Sequence, residues 1–263
     1  MKALVTVKEV REVQDEFDIE GTEIPDRYVE FDLNEWDDYA VEEAVQLKKD
    51  DVLDEVVAVI IGPERSEETV RMALAKGADR AVRMWDDALA DVELLDVGTK
   101  VRLLEAVVEA EEPDVVFSGV QADDDSFGAT GVALAEEVGF EWAAVVNHLD
   151  HELGDVASVR RELEGGVEEL TDVELPAVLT IQTGINEPRY ASLRGIRQAQ
   201  RKEIDHRTLA DLGVDADDIA GDLALTAMYE PESESDAELF EGDADEQAGQ
   251  LAELLREKGV VEA

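Results

Sequence analysis

The sequence predicts an α/β fold: a mostly parallel sheet with helices on both faces, extended by a hairpin and a C-terminal arm. Three observations carry this. Apolar runs rich in β-branched residues recur at 3–10, 55–61, 80–85 and 114–119, with helical patterns between them, as in successive β-α-β units. Those runs alternate little between apolar and polar residues, as strands buried on both faces do. Past Gly139 the rhythm changes, and residues 156–161 and 168–171 flank Gly165-Gly166 as the arms of a hairpin.

Taken in order, residues 3–10 form the first strand and 11–38 a long loop broken by Gly21 and Pro25. A connection of that length inside a compact domain is uncommon and points to a binding loop. Residues 39–49 read as an amphipathic helix with Val41, Ala44, Val45 and Lys48 along one face and Asp37 or Asp38 as its cap. The strand at 55–61 is closed by Gly62-Pro63. Ser66 caps the next helix, 66–76, which has glutamates in its first turn and Gly77 past its end. A third strand covers 80–85. A long helix within 92–112 carries Val101, Leu104, Glu105 and Val108 on successive turns and stops at Pro113. The fourth strand, 114–119, leads through a loop to a helix at 129–138.

Beyond the hairpin, residues 175–182 form a further apolar strand and 194–202 a short helix with Arg197 and Arg201 one turn apart. The expected organisation is an α/β domain over 1–205 and an acidic arm over 206–263, with eight acidic residues between positions 232 and 246. The arm ends in a helix, 247–258, whose Leu251, Leu254 and Leu255 form a stripe. So short a helix is marginal alone in water and needs a surface to lie on. Trp85 and Trp142 are expected to pack in the interior.

The chain of 263 residues holds 68 acidic and 23 basic side chains, a net charge of −45. That argues against nucleic acid as a partner, because phosphate binding needs a basic footprint. A hydrophobic share of 44%, arranged in periodic runs, argues for a folded chain. Self-repulsion of this size is tolerable where molar salt screens charge over roughly 3 Å, and the composition points to an extreme halophile. The absence of cysteine removes disulfides and thiolate chemistry. No apolar run reaches membrane-spanning length and MKALVTVKEV lacks a signal-peptide pattern, so a cytoplasmic location without membrane insertion is expected. His148 and His151 have a metal-like spacing without a third ligand nearby and read as structural; no Ser-His-Asp set is deducible.

Standard phosphate cradles are missing: the chain has neither GxxxxGK(S/T) nor GxGxxG after a strand. Instead the fourth strand runs into Gly119-Val120-Gln121-Ala122-Asp123-Asp124-Asp125-Ser126-Phe127-Gly128-Ala129-Thr130-Gly131, which leads into a helix. Open α/β sheets bind ligands beyond the carboxyl ends of their strands, and helix N-termini favour anions. The small residues 128–131 would let a phosphate approach backbone N–H groups. Asp123, Asp124 and Asp125 would repel it unless they cap the helix, turn outward or hold a hydrated cation. The residues alone leave these readings open.

A different stretch carries a resemblance. Asn186-Glu187-Pro188-Arg189-Tyr190-Ala191-Ser192-Leu193 runs into the basic segment 194–202, and together they gather five of the 23 basic residues within fourteen positions. Read without context, this is an ordinary loop and surface helix. The octet resembles the partner-recognition loop of the electron transfer flavoprotein beta subunit, and the likeness extends over nearly everything from Met1 to about Ile204. It implies a Rossmann-like, adenine-nucleotide-binding fold in an electron carrier, not an enzyme. Leu193 would anchor acyl-CoA dehydrogenases, with Arg194 and Arg197 beside it.

Residues 119–131 resemble the family's AMP-binding loop, with Ala122, Asp125 and Thr130 matching and Gly128-Ala129 departing from a polar pair. The resemblance implies nucleotide contacts from Gly119 through Thr130, from Thr6 at the end of the first strand, from Asn34, Glu35, Trp36 and Asp37, and from Ile61 before Gly62-Pro63. Glu35 stands where the family has proline, and Trp36 could reach toward a flavin. Glu162, in Arg161-Glu162-Leu163-Glu164-Gly165-Gly166, corresponds to a glutamate that steadies the flavin domain of the alpha subunit. The implied cofactors are AMP and an FAD held mostly by that alpha subunit. Electrons would leave for a membrane-bound quinone oxidoreductase specific to the carrier, and the C-terminal arm would wrap the alpha subunit. Bifurcating members carry a second FAD and resemble DGDTAQVG here; Ala129-Thr130-Gly131 matches the AMP type. The competing expectation is a universal-stress-like, ATP-binding homodimer without flavin.

Overall fold

The structure, a computed structural model, describes residues 1–90, 92, 94–219, 221–230 and 237–260. They fall into two compact units, Met1–Met228 and Tyr229–Ala263. In chain order the first contains β1 (Lys2–Val7), β2 (Glu9–Val13), β3 (Val29–Leu33), α1 (Glu35–Lys49), β4 (Glu55–Ile61), α2 (Glu67–Lys76), β5 (Arg80–Met84), α3 (Asp87–Ala90), α4 (Val97–Glu111), β6 (Val115–Gly119), α5 (Thr130–Val138), β7 (Glu141–Leu149), β8 (Val156–Leu163), β9 (Val167–Glu174), β10 (Ala177–Ile181), α6 (Leu193–Ala199), β11 (Ile204–Arg207) and α7 (Leu209–Leu212). The second contains α8 (Ala244–Glu257), capped by Asp243 and Glu246 in a reciprocal capping box.

Among the described residues the main sheet has the order β11-β5-β4-β1-β6-β10-β7-β8-β9. The first seven are parallel neighbours, and β7, β8 and β9 continue antiparallel. Successive strand residues point to opposite faces, and both faces are apolar. Val5, Ala58, Phe117 and Leu179 pack on one side with α1 and α2. Leu4, Val57, Val116 and Val178 pack on the other with α4 and α5. This two-sided burial is why the strand runs lack polar alternation.

Several sequence expectations give way. The expected first strand, 3–10, divides into β1 and the start of β2, and β2 pairs antiparallel with β3 from within the expected loop at 11–38; the alternating Val29-Glu30-Phe31-Asp32-Leu33 suits a half-solvated strand. The first helix starts four residues earlier than expected, with Asn34 at the N-cap position but making no side-chain cap bond; Asp37 lies inside the helix, buried. Ser66 is itself helical and makes no cap bond; its hydroxyl donates to Glu9. The helix expected within 92–112 begins at Val97, where Asp96 accepts from the Thr99 N–H. β7 and β11 are strands the sequence pattern did not predict. β7 is bulged: Val145 has φ 61° and donates its N–H to the Thr180 hydroxyl at 2.9 Å. Trp142 is exposed on β7, with Arg161 over its ring.

The expected boundary at 205/206 falls within β11, which pairs with β5. Beyond it Leu209 and Ile219 are buried in the core of the first unit. Residues 231–236 of the acidic stretch lie outside the described residues. No described helix is long and apolar enough to cross a membrane.

Candidate functional site

The carboxyl ends of β1, β4 and β6 and the start of α5 enclose a cleft of about 260 Å³. Three close contacts build it. Asp37, buried in the first turn of α1, accepts the Lys8 N–H at 2.8 Å and the Gly119 N–H at 2.9 Å, tying α1 to the ends of β1 and β6. Burial pushes its carboxyl up to about 7, against the opposing pull of its hydrogen bonds. Gly119 has to lack a side chain, because a Cβ there would lie 2.6 Å from both Asp37 Oδ1 and Trp36 Cβ. Gly131 is under the same constraint: its Cβ would lie 2.5 Å from Ser118 Oγ and 2.7 Å from Thr180 Cγ2, so glycine lets α5 sit down on β6 and β10.

The loop from Gly119 to α5 is held from α1. Asn34, fully buried, donates to the Gln121 carbonyl at 2.9 Å and accepts the Asp123 N–H at 3.3 Å. Asp124 and Asp125 are paired: both contact Lys8 Nζ, and Asp125 also contacts Lys100 Nζ from α4. The Lys100 ammonium lies 5.0 Å from the Phe127 ring centroid. Burial raises the Asp125 carboxyl, yet bonds to Lys100 and Lys8 outweigh it and leave it below the usual carboxylate range. Burial, with Lys8 close by, lowers the Lys100 ammonium. Two lysines therefore answer two aspartates, and the expected repulsion of an anion is neutralised within the cleft. Ala129, the N-cap of α5, supplies no side-chain bond to the first-turn N–H groups, leaving them for another acceptor.

Of the residues expected here, Thr6, Asn34, Asp37, Ile61, Gly119, Val120, Gln121, Ala122, Asp124, Asp125, Gly128, Ala129 and Thr130 line the cleft. Glu35 is exposed outside it, and Asp123, Ser126 and Phe127 form the outer side of the loop, with Ser126 at φ 50°. Trp36 is half-buried beside the cleft and donates its indole N–H to Gln182 Oε1 at 3.0 Å. Sequence pattern assigned no role to Lys8, Lys100, Ser118 or Arg65 and gave Trp85 only a packing one; all five line the cleft. Lys8 was legible as a cation at a strand end; Lys100 reaches in from one turn inside α4 and left no local signal.

A second feature is the 186–193 loop. Asn186 donates to the Tyr39 carbonyl at 3.1 Å and to the buried Glu43 at 2.8 Å. Arg189 donates from its backbone N–H, Nε and Nη2 to Glu42. Burial raises the Glu42 carboxyl, but the Arg189 bonds prevail and hold it below its ordinary value. Tyr190 and Leu193 project outward, 99% and 77% exposed. Ser192 caps α6 by accepting the Gly195 N–H at 3.0 Å, and a Cβ on Gly195 would collide with the Ala75 carbonyl oxygen of α2. Arg194 and Arg197 are exposed and make no ion pair among the described residues. Glu162 is exposed on β8, opposite Glu168 of β9.

A mostly parallel α/β sheet with a cleft at its strand ends, and a loop fastened to α1 that presents Tyr190 and Leu193 to solvent, define an α/β protein with a candidate ligand site. Known proteins make this specific. Residues 23–212 match the electron transfer flavoprotein domain. The chain is 44% identical to the electron transfer flavoprotein subunit beta of Methylophilus methylotrophus over 98% of both chains. It is 32% identical to that of Bacillus subtilis over 99% of this chain and 100% of the relative. With that of Mus musculus it shares 35% identity over 89% of this chain and 91% of the relative. The chain belongs to the electron transfer flavoprotein beta-subunit family, whose members are electron carriers and not enzymes.

Proposed function

We propose that this chain pairs with an electron transfer flavoprotein alpha subunit, binds AMP in the cleft, and docks acyl-CoA dehydrogenases through Leu193. In this reading FAD is held mostly by the alpha subunit and supplies the redox chemistry. This chain's own residues hold and orient. The first-turn N–H groups of α5 and the Thr130 hydroxyl would meet one phosphate. The Lys8–Asp124 and Lys100–Asp125 pairs would keep the loop closed without net charge. Asn34 and Asp37 would fix the first part of the loop, from Gly119 to Asp123. Glu162 would contact the alpha subunit, Arg194 and Arg197 would flank the docking surface, and the arm with α8 would lie on the alpha subunit. Electrons would pass on to the carrier's quinone oxidoreductase.

The observation that carries this reading is the division of labour in the 186–193 loop. Asn186 and Arg189 are fastened to α1, while Tyr190 and Leu193 are presented to solvent. A core loop would bury its large apolar residues, and a mobile loop would leave its polar residues unpaired. Expressing the chain alone and together with its alpha-subunit neighbour tests the reading. A yellow heterodimer is expected; a colourless homodimer that retains ATP in either preparation would favour the universal-stress-like alternative.

A further inference from the structure

His151 lies in the turn between β7 and β8, against α1. Its two ring nitrogens each face a carboxylate: Nδ1 is 2.8 Å from Asp50 Oδ2 and Nε2 is 3.1 Å from Glu43 Oε1. A neutral imidazole has one N–H and one lone pair, whereas an ionised carboxylate only accepts. A neutral ring would satisfy one contact and set a lone pair against oxygen in the other. The imidazolium satisfies both. Glu43 is itself buried, 2% exposed, and its second oxygen accepts from Asn186 Nδ2. Three residues further on, Arg189 is bound by the neighbouring Glu42. A single chain of contacts thus runs from Asp50 through His151 and Glu43 to the first residue of the loop.

The charges around the ring are unbalanced. From α1 and its end come Glu43 and Asp50; from its own turn, Asp150 and Glu152 flank it in sequence; from the loop, Arg189 is committed to Glu42. Burial lowers the His151 pKa, but the bonds to Asp50 and Glu43 outweigh it, and the net direction is upward from 6.5.

We infer that His151 is a positioning residue: its imidazolium is the counter-ion that holds Glu43 aimed at Asn186, so that the 186–193 loop is fixed while His151 is protonated and loosens when the proton leaves. The folded-state pKa is raised, so the contribution is complete below 6.5 and is lost as pH rises through the higher folded value. Deprotonation leaves one N–H for two carboxylates and removes the cation beside buried Glu43, a costly arrangement that weakens the hold of Glu43 on Asn186. Tyr190 and Leu193 are then offered less rigidly. The consequence for docking rests on the function proposed above; the order of the loop does not.

Hydrogen–deuterium exchange on the purified heterodimer, corrected for intrinsic rate and run from about pH 5.5 to about pH 9, reads the loop directly. The imidazole resonances of the three histidines give the titration of His151. Protection of the Arg189 amide should fall about tenfold with a midpoint that follows His151, the scale of one charged hydrogen bond. In H151Q it should be low and independent of pH. Asp50 is exposed, so D50N keeps the fold and should move both midpoints to lower pH. Protection insensitive to pH in the wild type, a wild-type profile in H151Q, or unmoved midpoints in D50N would each overturn the inference. Electron acceptance from an acyl-CoA dehydrogenase, followed in parallel, separates the two readings. A loop that titrates while acceptance stays constant supports the role of His151 and overturns the docking assignment.

Discussion

Arg189 and Glu42 form a two-point ion pair, with Nε at 2.5 Å and Nη2 at 2.6 Å from the two carboxylate oxygens, on a helix that also carries the first turn of the nucleotide-site candidate. One element, α1, therefore positions both features: Asn34 and Asp37 at its start grip the cleft, and Glu42 and Glu43 two turns later grip the loop. Glu42 is only 5% exposed at its side chain and Arg189 22%. Arg189→Ala would strand a buried carboxylate, for which breaking a pair costs about 3–5 kcal/mol at the extreme. Gln46 still donates to Glu42 and the site is partly open, so a loss of about 2 kcal/mol is expected. Urea unfolding checks this; a cost as small as that of Tyr190→Ala, at a fully exposed position, would contradict it.

Leu193 stands first in α6 and touches no core. Leu193→Ala should leave stability within about 0.5 kcal/mol, as for other surface substitutions. It should lower electron acceptance from a cognate dehydrogenase about tenfold or more, the scale of a central apolar anchor, with flavin content unchanged. A parallel loss of flavin would mark Leu193 as structural instead.

Asp37 sets a pH dependence. Its folded pKa of about 7 stands above the ordinary 3.8. A raised value means the folded state binds the proton more tightly, so the contribution to stability is complete below 3.8 and lost as pH rises toward about 7. Asp37→Asn has no such titration. The stability difference between wild type and variant should fall by a few kcal/mol across that window. A flat difference would show that the Lys8 and Gly119 N–H groups compensate the charge fully.

The net charge of −45 makes folding depend on salt. Many carboxylates have no cation to answer them, and at low ionic strength their repulsion extends to roughly 30 Å at 0.01 M. Circular dichroism should show native signal in molar salt and its loss on dilution. Full native signal in dilute buffer would remove the halophilic reading.

The sheet was legible because its strands are buried on both faces, which writes them into the sequence as unbroken apolar runs. β7 was hidden by its bulge: Val145 at φ 61° interrupts any period, and Trp142 and Glu141 are exposed at its start. The hairpin of β2 and β3 was hidden because it is half solvated and its loop is rich in acids. In the site, Gly119 was visible as a small residue at a strand end and Gly131 as one at the start of a helix. Lys8 and Lys100 were not assigned, although their partners at 124 and 125 were, because an ion pair across 25 or more residues leaves no local pattern. The mounting of 186–193 by Glu42 and Glu43 was equally silent: the helix pattern singled out neither, and burial against the loop is what makes them structural.

In the proposed function the cleft of about 260 Å³ holds a mononucleotide, AMP, whose chain ends at a single phosphate on α5. A second flavin would need room beyond the adenosine and contacts for a longer phosphate chain. Denaturing the purified heterodimer and quantifying the released nucleotides by chromatography tests this most directly. One flavin and one AMP per heterodimer is the expected result; two flavins with no AMP would contradict it.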